Sequence, residues 1–327
     1  MTPAVSVVFL VHNRAAELRV SLREMLERSD HPRDRLEAIV VDNASTDGAA
    51  DMVRREFPDV RIIRREENCG TSGWNDGFAV ARGEWVLALD DDCFLPGDGL
   101  SRAVSRAVER DADLVSFGVV SGPDPGYRFD VGYPTGLLNF WGCAVLMRRE
   151  VVERLGGYDP RIFVWGNELE FTIRALDCGF RHLYLPDVVA VHMKEPPDGA
   201  GYAGSRGYRL NVRHLTYVAA KLLHGRDAAR VLVALAAKVA RDAARDDRRA
   251  LAAARDWLAG LRDGLRAREP VRTRALSRAY RDNVVAFAGP WAIARTPRDL
   301  LRRGRPPGRR SEFYASRPRY YPTTAAT

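Results

Sequence analysis

"VLALDDDCFLP", residues 86–96, decides how the chain is read. An aliphatic run of strand length ends in three consecutive aspartates and then turns apolar again. Adjacent carboxylates repel one another, and a buried strand gains no packing by ending on them. One aspartate after a strand is an ordinary turn or cap residue. Three in succession call for a positive partner.

The sequence before this stretch supplies the frame. "VSVVFLV" (5–11), "LEAIVVD" (36–42) and "VRIIR" (60–64) are short apolar runs of the kind that form strands buried on both faces, and "EWVLALD" (84–90) completes the set. Between them lie helical patterns. "ELRVSLREMLER" (17–28) places Leu18, Leu22, Met25 and Leu26 on one face, "STDGAADMVRREF" (45–57) opens on cap residues and stops before Pro58, and "SGWNDGFAVARG" (72–83) closes at Gly83. This βαβαβαβ order predicts an α/β fold with a mostly parallel sheet flanked by helices.

In such a sheet, ligands bind at the carboxyl ends of the strands. Those ends carry "HNR" (12–14), "DNASTDG" (42–48) and "DDD" (90–92), with the glycine-rich "NCGTSGWNDG" (68–77) between them. The rim is acidic, so it suits an anion only through a cation. Mg²⁺ or Mn²⁺ is held by one or two carboxylates and completes its shell with phosphate oxygens and water. Asp90 and Asp92 alternate along extended chain and so point the same way. The glycines at 70, 73 and 77 do not have GxGxxG spacing, which argues against a dinucleotide fingerprint.

The 327 residues carry a net charge of +8, unevenly spread. From residue 203 onward Lys and Arg outnumber Asp and Glu 28 to 10, while before it they are outnumbered 23 to 33. The basic part reads as helices, "YRLNVRHLTYVAAKLL" (208–223), "AARVLVALAAKVARDAARDD" (228–247) and "RRALAAARDWLAGLRDGLRA" (248–267), followed by an Arg-, Pro- and Tyr-rich tail. The expected organisation is an α/β domain carrying the acidic rim over 1–204, which the resemblance given below makes the nucleotide-sugar-binding and catalytic domain, a helical region over 205–301 and an irregular basic tail over 302–327. The helices are read first as a cap on the catalytic domain. The competing reading has their basic surface docking on an anionic membrane or acceptor. No nucleic-acid-binding module is recognised, and a homo-oligomer is compatible with the sequence. The opening residues lack a basic signal-peptide region, and the longest apolar run, "VVAFAGPWAIA" (284–294), is too short to span a bilayer. Four dispersed cysteines without a CxxC fit a reduced, cytoplasmic setting, with peripheral contact at the inner face of the membrane as the variant.

These motifs, in this order, resemble those of the family 2 glycosyltransferases, inverting enzymes of the GT-A (Rossmann-like) fold. The likeness covers roughly residues 4–195. "VVFLVHNR" (7–14) resembles the family's first strand and its asparagine-arginine turn, and "VVDNASTDG" (40–48) its nucleotide-binding D-x-S-x-D-G segment. "ENCGTSGWNDG" (67–77) is similar to its N-x-G-x-x-G-x-N-x-G loop, and "LALDDDC" (87–93) to its DxD motif. "WGCAVLMRREVVERLGGYD" (141–159) and "WGNELEFTIRALDCGFRHLYLPDVVAVH" (165–192) resemble the segments around the acceptor site and the catalytic base.

The resemblance implies nucleotide contacts from Val11, His12, Asn13, Arg14, Asp42, Asn68, Gly70, Asn75, Asp90 and Asp91. It implies a metal site of Asp90, Asp92 and His192 holding Mg²⁺ or Mn²⁺. Glu168 falls on the second acid of the family's paired acids and is the implied base. The chain departs from the pattern with Asn167 at the first acid, which makes Glu170 a rival base. Trp141 and Trp165, with Asn167 and Glu170, are the expected acceptor and sugar contacts. His12 is expected to act through its backbone, Trp85 to lie in the core, and His182, His214 and His224 to be surface or packing residues.

The expected reaction moves a sugar from a nucleotide-diphosphate sugar to a hydroxyl on a glycan, lipid-linked or small-molecule acceptor. Two other classes compete. A nucleotidyltransferase is expected to carry a glycine- and arginine-rich loop after the first strand, which "HNRAAEL" (12–18) is not. A non-catalytic GT-A-fold binding protein would use its basic helices and turn over no donor.

Overall fold

The computed structural model describes residues 4–130, 140–195, 206–243 and 247–287. Its chain forms two compact units. The first draws on Met1–Phe163 and Cys178–Pro196, the second on Val164–Asp177 and the helices after residue 206.

The first unit is built on an eight-stranded sheet of order β3-β2-β1-β4-β7-β6-β8-β5. Its strands are β1 (Val5–Val11), β2 (Leu36–Asp42), β3 (Arg61–Arg64), β4 (Trp85–Asp90), β5 (Cys93–Phe94), β6 (Leu114–Ser121), β7 (Ala144–Arg148) and β8 (His182–His192). β1 pairs in parallel with β2 and β4, and β2 with β3, so the first four strands form the expected nucleotide-binding half. β7 then enters antiparallel to β4 and β6, which turns the far half into a mixed sheet. The helices α1 (Ala15–Glu27), α2 (Ala49–Glu56), α3 (Trp74–Val80), α4 (Gly99–Glu109) and α5 (Arg149–Leu155) follow strands β1, β2, β3, β5 and β7.

β1 and β4 are central, and their apolar residues are buried without exception apart from partly covered Leu10. Leu18, Leu22 and Met25 of α1 enter the same core, as their helical spacing requires. Trp85 is fully buried, as expected, with the Arg148 guanidinium 4.7 Å from its ring centroid.

The glycine-rich loop serves this packing. Gly73 and Gly77 lie where added Cβ atoms would collide with Leu10 and Val8 of β1, so their bareness lets the loop and α3 sit directly on the sheet. Gly70 has φ +64° and abuts the Phe163 carbonyl, which also accepts the Thr71 N–H at 2.8 Å.

The second unit is helical: α6 (Asn167–Asp177), α7 (Arg206–Leu222), α8 (Gly225–Ala243), α9 (Asp247–Arg266) and α10 (Arg274–Phe287). By contacts α6 clusters with the later helices. The sequence reading assigned three of the C-terminal helices and not α10, whose Leu276 and Tyr280 are buried. Among the described residues no helix is long and apolar enough to cross a membrane. The tail at 302–327 lies outside the described residues.

Gly77→Ala tests the close approach of α3 to β1. The added methyl meets Val8 and Val41 inside contact distance, and overpacking of this kind costs about 1–3 kcal/mol. Thermal unfolding is expected at a lower Tm than wild type; an unchanged Tm would show that the interface can give way.

Candidate active site

The carboxyl ends of β1, β2 and β4 are stitched into one rim. At the end of β1, Asn13 takes a left-handed conformation (φ 56°), its N–H donating to Ser45 Oγ at 3.0 Å and its Oδ1 accepting the Thr46 N–H at 2.7 Å. Ala44, just after β2, is also left-handed (φ 63°) without a side chain to compensate. Non-glycine residues rarely adopt this region, and such strain clusters at functional sites.

Asp42 closes β2. Its Oδ1 accepts the Ser45 N–H at 2.8 Å, while its Oδ2 is buried with no hydrogen-bond partner. Beside it, the His12 ring bonds through Nδ1 to the Asn43 carbonyl at 2.8 Å.

The three aspartates separate by direction. Asp91 turns toward β1, where its Oδ2 accepts the His12 N–H at 3.4 Å. Asp90 and Asp92 join His192, and one ligand atom from each lies within 4.8 Å of the other two. The alternation expected along the strand end is thus present, and the partner comes from the far side of the sheet. β5 pairs antiparallel with β8 so that Cys93 faces His192, and Met193 N–H donates to the Asp92 carbonyl at 2.8 Å. That register brings the histidine ring to Asp92, with Nε2 3.1 Å from Oδ1.

Arg14 supplies the neighbouring positive charge. Its guanidinium contacts Asp92 and lies 3.5 Å from Asp91, so it faces the acidic rim. The charges settle unequally. Burial pushes Asp92 up, but His192 and Arg14 outweigh it and hold Asp92 below the usual carboxylate range. Burial and the charge on Asp92 push Asp91 up to about 7. These influences keep Asp92 ionised.

The residues fit a divalent cation. Asp92 Oδ1 and His192 Nδ1 accept or donate no hydrogen bond, and His192 Nε2 lies 3.1 Å from that Asp92 oxygen. Carboxylate oxygens suit Mg²⁺ and Mn²⁺, and an added imidazole suits a transition metal better. Among the described residues this is the one cluster of at least three such side chains with a ligand's spacing.

Other expected contacts are placed differently. Asn75 holds the backbone at Tyr158: its amide donates to the Tyr158 carbonyl at 2.9 Å and accepts the Tyr158 N–H at 2.8 Å. Asn68 and Gly70 are held by Asn43, a buried residue given no role by the sequence reading. Asn43 Nδ2 donates to Asn68 Oδ1 at 2.9 Å and to the Gly70 carbonyl at 3.1 Å, and its Oδ1 accepts the Cys69 N–H at 3.1 Å. Its position inside the quoted "VVDNASTDG" was the available signal, since an amide offers both donors and an acceptor. Trp141 packs half-buried on the core, its ring 5.7 Å from Phe129, which in turn lies 5.4 Å from the His192 ring.

In the second unit, Trp165 is exposed at a positive φ of 61°, two residues before α6. Asn167 is buried with Oδ1 unpartnered. Glu168 is half-buried, its Oε2 accepting the Gly166 N–H at 3.2 Å. Burial raises its pKa against the pull of backbone N–H groups of Glu168 and Gly166. Glu170, the rival base, is fully buried and taken. Arg174 donates to both its oxygens at 2.8 Å, and Lys221 Nζ donates to Oε1 at 2.7 Å.

A parallel half-sheet with an Asp-x-Asp pair and a histidine at its carboxyl rim defines a transferase of the GT-A class. Residues 6–156 match the family model described as glycosyl transferase family 2. This segment, a little under half of the chain, is similar to the family 2 glycosyltransferases. Glycosyltransferase AglE of Haloferax volcanii is 26% identical over 209 residues, 59% of this chain and 68% of that protein. Probable glycosyltransferase YdaM of Bacillus subtilis is 25% identical over 60% of this chain, which spans only 51% of its length. Among solved structures, the mannosyltransferase PcManGT of Pyrobaculum calidifontis, in complex with GDP-Man and Mn²⁺, superposes with a TM-score of 0.54 at 26% identity, covering 90% of this chain and 78% of that one. TarS 1–349 of S. aureus has TM-score 0.52 at 17% identity over 66% of this chain and 65% of its own, a likeness of fold alone.

Asp92→Ala removes the ionised ligand and leaves His192 without its neighbour. Calorimetric titration of GDP or UDP with Mn²⁺ is expected to lose its metal-dependent component in this variant. Retained, metal-stimulated binding would contradict the assignment.

Proposed function

We propose that the chain transfers a sugar from a nucleoside-diphosphate sugar to an acceptor hydroxyl, with metal assistance, a carboxylate base and inversion at the anomeric carbon. The observation that carries the reading is the convergence of Asp90, Asp92 and His192 at the carboxyl rim of a GT-A sheet. A divalent ion held there would neutralise charge building on the departing diphosphate. Mn²⁺ is favoured over Mg²⁺ by the imidazole and by the Mn²⁺ in the PcManGT complex, whose GDP-Man makes GDP-mannose the first donor to try.

The residues divide the work. Asp42 offers Oδ2, which accepts no hydrogen bond and lies 3.7 Å from Arg64 Nε, to an N–H of the nucleobase, next to the backbone of Val11 and His12. Arg14 balances the rim charge while the diphosphate is bound. Glu168 takes the proton of the attacking hydroxyl as its oxygen bonds to the anomeric carbon, and the bond to the diphosphate breaks on the opposite side. Burial suits it to this role, because a base nearer neutrality accepts a proton more readily than an ordinary carboxylate. Glu170 is fully buried and already the counter-ion of Arg174 and Lys221, which holds it away from this task. Asn167 Oδ1 and the exposed Trp165 ring are the acceptor-side contacts, one polar and one a stacking face.

The test is release of nucleoside diphosphate from a donor panel opening with GDP-mannose, with Mn²⁺ or Mg²⁺ and then EDTA. Turnover abolished by EDTA is expected; no turnover of any donor would favour a binding protein. In Glu168→Gln, donor binding should persist while transfer slows by ~10²–10⁴-fold. Because Glu168 must be ionised and its pKa is raised, the wild-type rate should fall on acidification with a midpoint above the ordinary glutamate range. A Glu168→Gln enzyme with a wild-type rate would move the base elsewhere.

A further inference from the structure

Trp165 and Gly166 are consecutive residues in the left-handed region, with φ 61° and 95°. For a tryptophan this conformation is a true outlier, of order 1–3 kcal/mol, and something must hold it. His214 of α7 does so. Its Nδ1 lies 2.7 Å from the Val164 carbonyl and 3.0 Å from the Trp165 carbonyl. Both partners are acceptors only, so Nδ1 carries the proton and donates to both. The side chain is buried, and its Cβ lies 3.4 Å from where a Gly166 Cβ would stand, so the ring is fixed against the turn from which the Gly166 N–H reaches Glu168 Oε2.

Lys221 makes a second attachment. It lies seven residues on, two turns of helix, and so on the same side of α7 as His214. Its ammonium reaches Glu170 Oε1, fastening α6 four residues after the strained turn ends. α7 is itself braced. Gly260 and Gly264 of α9 sit so close that added Cβ atoms would strike the backbone at Arg213 and Tyr217.

We infer that His214 and Lys221 are positioning residues for the transfer reaction, a two-point clamp on segment 164–170 that holds Trp165 and Glu168 in their working conformation. The inference rests on the reading of Glu168 as the base. It gives α7 a catalytic duty beyond that of a cap or a basic surface. It also changes the expected role of His214 from packing to support of the turn.

The test uses the full chain as wild type, His214→Phe, His214→Asn, Lys221→Met and Glu168→Gln, with GDP-mannose and Mn²⁺ as the probe. GDP release and amide hydrogen exchange of 164–170 are measured together. An asparagine amide can occupy the Nδ1 position and donate, whereas phenylalanine fills the space without a donor. Displacing a catalytic group by about 1 Å can cost ~10²-fold. His214→Phe is therefore expected to lower kcat about 10–100-fold with KM for GDP-mannose little changed and exchange of 164–170 faster. His214→Asn should restore both, and Lys221→Met should speed exchange at the α6 end.

The clamp is overturned if His214→Phe keeps wild-type kcat and protection. It is overturned equally if kcat, donor binding and Tm fall together and asparagine rescues none of them, the pattern of a packing residue. Slow Glu168→Gln with unaffected His214→Phe removes the clamp and leaves the base. Wild-type turnover in Glu168→Gln removes the base, and this inference with it. If GDP-mannose is not turned over, the donor choice fails, and the exchange measurement still decides whether His214 holds the turn.

Discussion

Two carboxylates and one imidazole, from residues 90, 92 and 192, are held with ligand atoms within 4.8 Å of one another, and the arrangement of the first unit serves this constraint. Like charges at a strand end are unfavourable unless a cation answers them. Arg14 answers some of the charge, and the chain turns Asp91 aside, where burial pushes its pKa up to about 7 while Asp92 is held below the usual carboxylate range. The histidine comes from a strand about a hundred residues later, held in place by the two-residue β5 against the end of β8. A one-residue slip in that register would turn His192 to the other face and dissolve the cluster.

The same economy of short contacts governs the rim. Asn43 ties the loop at 68–70 to the end of β2, and Asn13 and Ser45 join the ends of β1 and β2. The glycines of the loop serve close packing onto β1, and Asn75 serves the turn at Tyr158. A motif that reads as ligand-binding in the sequence therefore also works from beneath, by building the surface on which the ligand rests.

This explains what was legible in the sequence. The strand runs of the parallel half are local, continuous and apolar, and β1 and β2 end where composition says they should. The aspartate alternation is equally local, because it follows from the pleat. The roles of Glu170, His214 and Asn75 were not legible. Each is decided by a partner far along the chain: Lys221 lies 51 residues from Glu170, Val164 lies 50 from His214, and Tyr158 lies 83 from Asn75. Nothing in a helical or strand period reports such pairings. The split at 164, within a stretch that resembles one continuous family motif, was hidden for the same reason: α6 belongs by packing to helices that follow it much later. A buried ion triad at Glu170 adds little net stability over an apolar contact but fixes one arrangement, since removing a single partner typically costs about 3–5 kcal/mol.

The central claim is that Asp90, Asp92 and His192 jointly ligate a divalent ion that carries the donor's diphosphate. Pulsed electron paramagnetic resonance of Mn²⁺ added to the protein with GDP or UDP tests it most directly. The account predicts a ¹⁴N coupling from one imidazole, lost in His192→Ala, together with ³¹P couplings from the diphosphate on the same ion. Mn²⁺ bound without nitrogen coupling, or phosphorus coupling that persists unchanged in Asp92→Ala, would contradict it.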